Sequence, residues 1–161
     1  MNEQLTNKFK KKIAVSGPAI TKLFKDDLQE KAYQVGVAIA KAGAVCVTGA
    51  TTGVPQWAAK GAHEAGGFVL GISPAINLRH HVHVYNLPTD YHDIIIYTGL
   101  GYAVRDNLVA RSGDAMITLA GRMGSLNEFT AAFQDKRVQG VLLGTGGIAD
   151  EVERLLSLTN P

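Results

Sequence analysis

Two side chains combine a reactive group with a position that would bring it to a ligand. Arg105 follows Gly99-Leu-Gly101 by about one helical turn, and a planar guanidinium there can grip a phosphate bidentately. A surface salt bridge to Asp106 or Asp114 accounts for the same residue without chemistry. Glu128 falls in the first turn of a helix expected after Gly121-Arg-Met-Gly124-Ser125, where a carboxyl group can serve as general acid or base or bind ribose hydroxyls. Ser125-Leu-Asn-Glu128 also reads as a capping box, with Ser125 as N-cap and Glu128 reaching back to its N–H. Arg111, six residues after Arg105, is explained equally well by capping of a helix end.

The elements that must position these residues follow from hydrophobic periodicity. Short runs, apolar throughout, predict strands near 12–16, 45–48, 68–72, 94–97, 115–119 and 141–143. Leu28, Ala32, Val35, Ile39 and Ala42 recur at helical spacing, with Gly43 as the C-terminal stop. Further helices are expected near 55–65, 102–111, 125–135 and 149–156. The stretch 73–93, rich in His and interrupted by Pro74 and Pro88, is expected as a long connection without a helix. Strands apolar along their whole length imply burial on both faces, so the expected fold is α/β, a three-layer, Rossmann-like, doubly wound parallel sheet. A single domain spans 1–161, with residues 1–11 as a basic arm.

Glycine supplies 18 of the 161 residues, above an average near 7%. Gly17, then Gly49 and Gly53, Gly99 and Gly101, Gly121 and Gly124, and finally Gly144, Gly146 and Gly147 lie between a predicted strand and a predicted helix. In a parallel sheet such loops share one edge, where free backbone N–H groups and helix N-termini favour anions. Turn geometry alone also asks for glycine, yet five such loops on one edge point to a phosphate-bearing ligand. No loop carries the P-loop pattern, and the first lacks Gly-x-Gly-x-x-Gly, which argues against ordinary dinucleotide binding.

Composition narrows the function classes. A net charge of +2 and charged residues at 19%, with a mean hydropathy of +0.05, fit a soluble α/β domain and give no reason to expect a nucleic-acid or membrane partner. The single cysteine, Cys46, lies in an apolar strand and excludes an intrachain disulfide; a buried thiol and the cytoplasm are expected. His80-His81-x-His83 with His92 is the one metal-like cluster, and no metal site is assigned to it. Trp57, beside Pro55 at a helix start, would cover the ligand or pack at a subunit contact. Ser16 and Ser125 lack a nucleophile-elbow signature.

Three blocks carry a family resemblance: Thr48-Gly-Ala-Thr-Thr-Gly53 with Ala62-His-Glu-Ala-Gly-Gly67, Thr98-Gly-Leu-Gly101 with Arg105-Asp-Asn107, and Ser112-Gly-Asp114 through Glu128. Together they resemble the LOG/SLOG superfamily of Rossmann-like nucleotide-binding proteins. That superfamily includes the cytokinin-activating nucleoside-monophosphate phosphoribohydrolases, once misnamed lysine decarboxylases, and the molybdenum cofactor carrier proteins. The last block is similar to the signature Pro-Gly-Gly-x-Gly-Thr-x-x-Glu, whose glycine-rich loop holds phosphate in the hydrolases while an arginine and the final glutamate serve the N-glycosidic bond. The resemblance implies Arg105 and Glu128 as catalytic residues if the protein is a hydrolase. It implies ligand or phosphate contacts at Gly17, Gly49, Gly53, Gly99, Gly101, Arg105, Asn107, Gly121, Arg122, Met123, Gly124 and Ser125.

The chain departs from the hydrolase pattern at Ala120, Arg122 and Ser125, and Asp106 stands where the hydrolases have lysine. Arg122 would add an anion contact or occlude the pocket. The blocks resemble the cofactor-carrier branch more closely. The expected function is binding of a phosphorylated nucleotide-like or pterin-type ligand, molybdenum cofactor or a nucleotide, with no cofactor required for catalysis. The alternative is cleavage of a nucleoside 5'-monophosphate to free base and ribose 5-phosphate. The family, with Ala- and Gly-rich helix faces, also suggests a homo-oligomer, a dimer or tetramer.

Overall fold

Apolar runs that cannot remain in water find cover in a parallel sheet, and six strands pair in this way here, the inner four largely buried and the two edge strands only partly. The strands are β1 (Lys12–Ser16), β2 (Val45–Thr48), β3 (Phe68–Ser73), β4 (Ile94–Tyr97), β5 (Ala115–Leu119) and β6 (Val138–Leu142). The structure, a computed structural model, describes residues 9–159; residues 1–8 of the expected basic arm lie outside them. The sheet order is β4-β3-β2-β1-β5-β6, and every neighbouring pair is parallel. The fold is the expected Rossmann-like α/β arrangement.

Alternation along the strands divides the core into two layers. Val15, Cys46 and Leu119 face helices α1 (Leu28–Lys41) and α2 (Val54–Glu64). Ala14, Val47 and Met116 face α4 (Gly101–Ser112), α5 (Met123–Gln134) and α6 (Ile148–Thr159). The sixth helix, α3 (Leu78–His83), lies within the stretch expected to be helix-free. Asn77 caps it by accepting from the His80 N–H at 2.9 Å, a local signal that the polar composition masked. β6 begins at Val138, three residues before its expected start, because its backbone pairs in register with Ala115–Leu119 although Val138 itself is exposed. No helix among the described residues is long and apolar enough to cross a membrane.

Two helical glycines serve close packing. A Cβ on Gly36 would sit 2.0 Å from the Ala58 carbonyl oxygen, and one on Gly61 would sit 2.0 Å from that of Tyr33. The small-residue faces that suggested subunit contact at the sequence level are thus used inside the chain, between α1 and α2.

Candidate functional site

The winding of the sheet reverses between β1 and β5, since the chain passes from β1 outward through β2 to β4 and then returns to the other side of β1. Ligands of open α/β sheets bind outside the carboxyl ends of the strands at such a point. A cavity of about 230 Å³ opens there, and its lining includes Gly17, Gly49, Arg105, Arg122, Gly124, Ser125 and Glu128. The fold therefore gathers residues from the β1, β2 and β5 loops and from α4, which returns across the sheet after edge strand β4.

The other expected contacts fall elsewhere. Gly53 starts α2 with φ +72, and a Cβ there would meet the Pro18 carbonyl oxygen at 2.4 Å. A Cβ on Gly99 would meet Ile76, Gly101 has open space around it, and Asn107 donates to Ala103 O within its own helix at 3.0 Å. Gly121 accepts the Ile148 N–H through its carbonyl at 3.1 Å, and Met123 is exposed. None of these six is among the cavity-lining residues.

The last glycine loop already holds an anion of its own. The Asp150 carboxylate accepts the N–H groups of Gly144 at 2.6 Å and Gly146 at 3.0 Å. Gly144 and Gly146 thus form a nest filled from within the chain, since Asp150 lies in the first turn of α6. Periodicity placed this loop correctly but could not show that its donors were taken.

Arg105 occupies the N-terminal half of the α4 face that continues into the core as Val109 and Ala110, so the spacing that buries those residues also buries its guanidinium. Its Nη1 donates to the carbonyl oxygens of Gly49 and, at 3.5 Å, Ile72. Gly49 must be glycine for this approach, because a Cβ would lie 1.7 Å from Nη1. Arg105 Nε lies 3.3 Å from Asp106 Oδ1, so the partner considered from sequence is present, but the pair is buried rather than at the surface. The Nε–H direction closes no hydrogen bond, so among the described residues Nε has the Asp106 charge beside it but no acceptor.

Glu128 is the main correction. Helix α5 starts at Met123 with Arg122 as N-cap, and no side chain caps it. Ser125 is consequently inside the helix, and the capping box does not form. The Glu128 carboxyl is buried and accepts from Ser16 Oγ at the end of β1. Burial, aided by the nearby negative Asp106 and opposed by Ser16 and Arg105, pushes its pKa up to about 8. Asp106 is also raised by burial, against the pull of Arg105 and a hydrogen bond with Asn127. At neutral pH Glu128 is mostly neutral, so Asp106 opposes two arginines and the cavity is electropositive.

The open end of α5 reinforces this charge. Its first N–H groups have no partner in their own helix, no acidic residue lies in its first turn, and Arg122 is exposed at the cavity and pairs with no carboxylate among the described residues. Ala50 and Ala120, each just past a strand that feeds the site, adopt φ of 50° and 49°. Left-handed backbone at a buried alanine costs about 1–2 kcal/mol, and here it turns each loop sharply away from its strand.

The remaining candidates are engaged elsewhere. His81 is fully buried, with Nδ1 at 2.8 Å from Ser73 Oγ and Nε2 at 2.9 Å from Pro88 O. His92 sits between Thr48 Oγ1 and Asp90 O, and burial lowers its pKa. Trp57 packs against the α1 and α2 side of the core, outside the cavity. Arg111 pairs with Asp135 at 2.9 Å, Asp114 with Lys12 at 3.0 Å. Cys46 is buried, which pushes its thiol up to about 12. Sequence reasoning missed Tyr102, which lines the cavity, and treated Asp106 as a departure from the hydrolase pattern and a salt-bridge partner rather than as part of the lining; both flank Arg105 on the helix already singled out.

The SLOG cluster4 family model matches residues 10–157. An uncharacterized protein from Archaeoglobus fulgidus is 37% identical over 108 residues, and the match spans 66% of the length of each protein. Among solved structures, the molybdenum cofactor binding protein of the phototrophic bacterium Rippkaea orientalis is 31% identical with a TM-score of 0.76, over 94% of this chain and 86% of that one. The molybdenum cofactor carrier protein of Chlamydomonas reinhardtii is 33% identical with a TM-score of 0.75, over 94% of this chain and 85% of that one. The match takes in every strand of the sheet and every residue that lines the cavity, and the chain belongs to the SLOG cluster4 family.

Proposed function

We propose that the cavity binds a phosphorylated, nucleotide-like or pterin-type ligand, and that the protein acts as a binding protein of the molybdenum cofactor carrier kind. The observation that carries this reading is the buried Arg105 guanidinium, ion-paired to Asp106 but with no hydrogen bond from Nε, in one cavity with Arg122 and the uncapped start of α5. A buried N–H donor that closes no hydrogen bond is costly, and an anion in the cavity that accepts from it removes that cost. The similarity to a molybdenum cofactor binding protein and a carrier protein supports the same ligand class. Equilibrium dialysis against nucleoside monophosphates and molybdenum cofactor tests it. At least one ligand should bind the wild type and bind Arg105→Lys at least tenfold more weakly; no binder of that kind refutes the reading. Melting curves check that the variant is folded.

One observation favours a second reading, a phosphoribohydrolase. Glu128 keeps a proton near neutral pH beside Arg105 and Asp106, as a general acid toward a departing base requires. Chromatography of adenosine monophosphate after incubation decides it. Base release that disappears in Glu128→Gln supports the hydrolase, and no release from the wild type removes it.

We also propose a homo-oligomer. Ile94 and Ile96 on β4, Leu100 at the N-cap of α4 and Val104 on α4 are each about half exposed, and apolar exposure of this kind marks contact surfaces. A monomer by light scattering would exclude it.

A further inference from the structure

We propose that Tyr102 is a stacking platform for a planar heteroaromatic ring attached to the phosphorylated end of the ligand, and that Tyr85 and His80 hold that platform in place. The inference rests on the anion-binding reading above and adds which residues hold the ring end of the ligand.

Tyr102 lines the cavity and keeps 47% of its surface exposed. Its ring is nonetheless fixed. Tyr85 meets it edge to face, with centroids 5.3 Å apart and planes at 79°, and His80 meets Tyr85 in the same way at 5.1 Å and 82°. Such T-shaped contacts set a ring's orientation as well as its place. The far end of the relay is anchored in turn: His80 Nδ1 accepts from the Ile76 N–H at 3.3 Å, and its backbone N–H is held by Asn77. The near end is tied to the loop after β3 by the Gly101 N–H, which donates to Pro74 O at 3.3 Å.

The guanidinium of Arg105 lies over one face of the Tyr102 ring, 5.4 Å from its centroid, so the aromatic surface adjoins the cation and a flat partner would stack on the ring's other face. A half-exposed ring of the cavity lining, held by its neighbours, is preorganised for such a partner. Stacking on it tolerates any π-face, so a nucleobase and a pterin share the chemistry it selects. This also gives the His-rich stretch a role other than metal binding, because His80 acts through Tyr85 as a positioning residue.

The test compares monophosphates with and without a ring. Dissociation constants of ribose 5-phosphate, adenosine monophosphate and 6-hydroxymethylpterin phosphate are measured by calorimetry for wild type, Tyr102→Ala, Tyr102→Phe and His80→Ala, with melting curves for each. In the wild type at least one ring-bearing ligand should bind about tenfold or more tightly than ribose 5-phosphate, the size that base stacking carries. The ratio should collapse toward one in Tyr102→Ala, persist in Tyr102→Phe and fall partway in His80→Ala. The ligand with the larger ratio identifies a nucleobase or a pterin as the source. A ratio that survives in Tyr102→Ala, or that is near one in the wild type while ribose 5-phosphate binds, overturns the platform alone. If no monophosphate binds the wild type, the anion reading falls and the platform with it.

Discussion

Ser16 Oγ donates a hydrogen bond to the Glu128 carboxyl, joining the carboxyl end of β1 to the second turn of α5 across the switch point of the sheet. The two residues are 112 positions apart in the chain, and their contact puts a buried acid in the lining of the cavity.

That acid makes stability fall with rising pH. The folded-state pKa of Glu128, about 8, lies above the ordinary carboxyl value of 4.5. A raised acid contributes stability that is complete below the ordinary value and is lost as pH climbs to the folded one. Across pH 5 to 8.5 the wild-type melting temperature should fall through this group. Glu128→Gln, which mimics the neutral acid, should flatten the slope and melt higher than wild type at pH 8.5. Melting curves read by circular dichroism across that range check it, and equal slopes would show that Glu128 is not buried as a neutral acid.

Arg122 should assist binding rather than block it. Its side chain is exposed at the cavity and forms no ion pair among the described residues, so its removal disturbs little packing. Arg122→Ala should weaken monophosphate binding about tenfold, the size of one charge-assisted hydrogen bond, with the melting temperature within about 2 °C. Tighter binding in the variant would instead mark Arg122 as an obstruction.

Asp150 should matter to stability and not to the ligand. Its carboxylate satisfies two N–H groups of the loop that begins α6, so Asp150→Ala should cost about 1 kcal/mol, as loss of a helix cap does. Monophosphate affinity should stay within twofold. Chemical denaturation with calorimetry on the same sample separates the two effects.

Gly36→Ala should be severely destabilising although alanine favours helix. The added Cβ would sit 2.0 Å from the Ala58 carbonyl oxygen, and α1 and α2 must part to admit it. Overpacking of this kind costs about 3 kcal/mol, or roughly 10 °C in melting temperature for a chain of this size. A change below about 2 °C in a thermal melt would contradict the close packing of these helices.

Much of the fold was legible because each strand declares itself locally. Apolar runs such as Val45–Thr48 and Ala115–Leu119 need both faces covered, and the helical spacing of Leu28, Ala32 and Ile39 supplies a cover. The short helix at Leu78–His83 was missed because six residues carry too little periodicity. β6 was placed late because its exposed Val138 gave no burial signal.

For the site, local sequence determined which loops face one edge of the sheet and singled out Arg105 and Glu128, because strand-to-helix order fixes where a loop emerges, while the family resemblance added Arg122 and Ser125. It could not determine which glycine loops remain open. Gly49 approaches Arg105 across 56 residues, while Asp150 fills the loop beside it in the chain, and only the first of these contacts is long-range. Nor could it tell the capping role of Glu128 from the one observed, since both use the same residue and differ only in whether Ser125 or Ser16 is its partner. Only the tertiary structure decided that, by bringing the end of β1 against α5, and the burial that results is what holds a proton on Glu128.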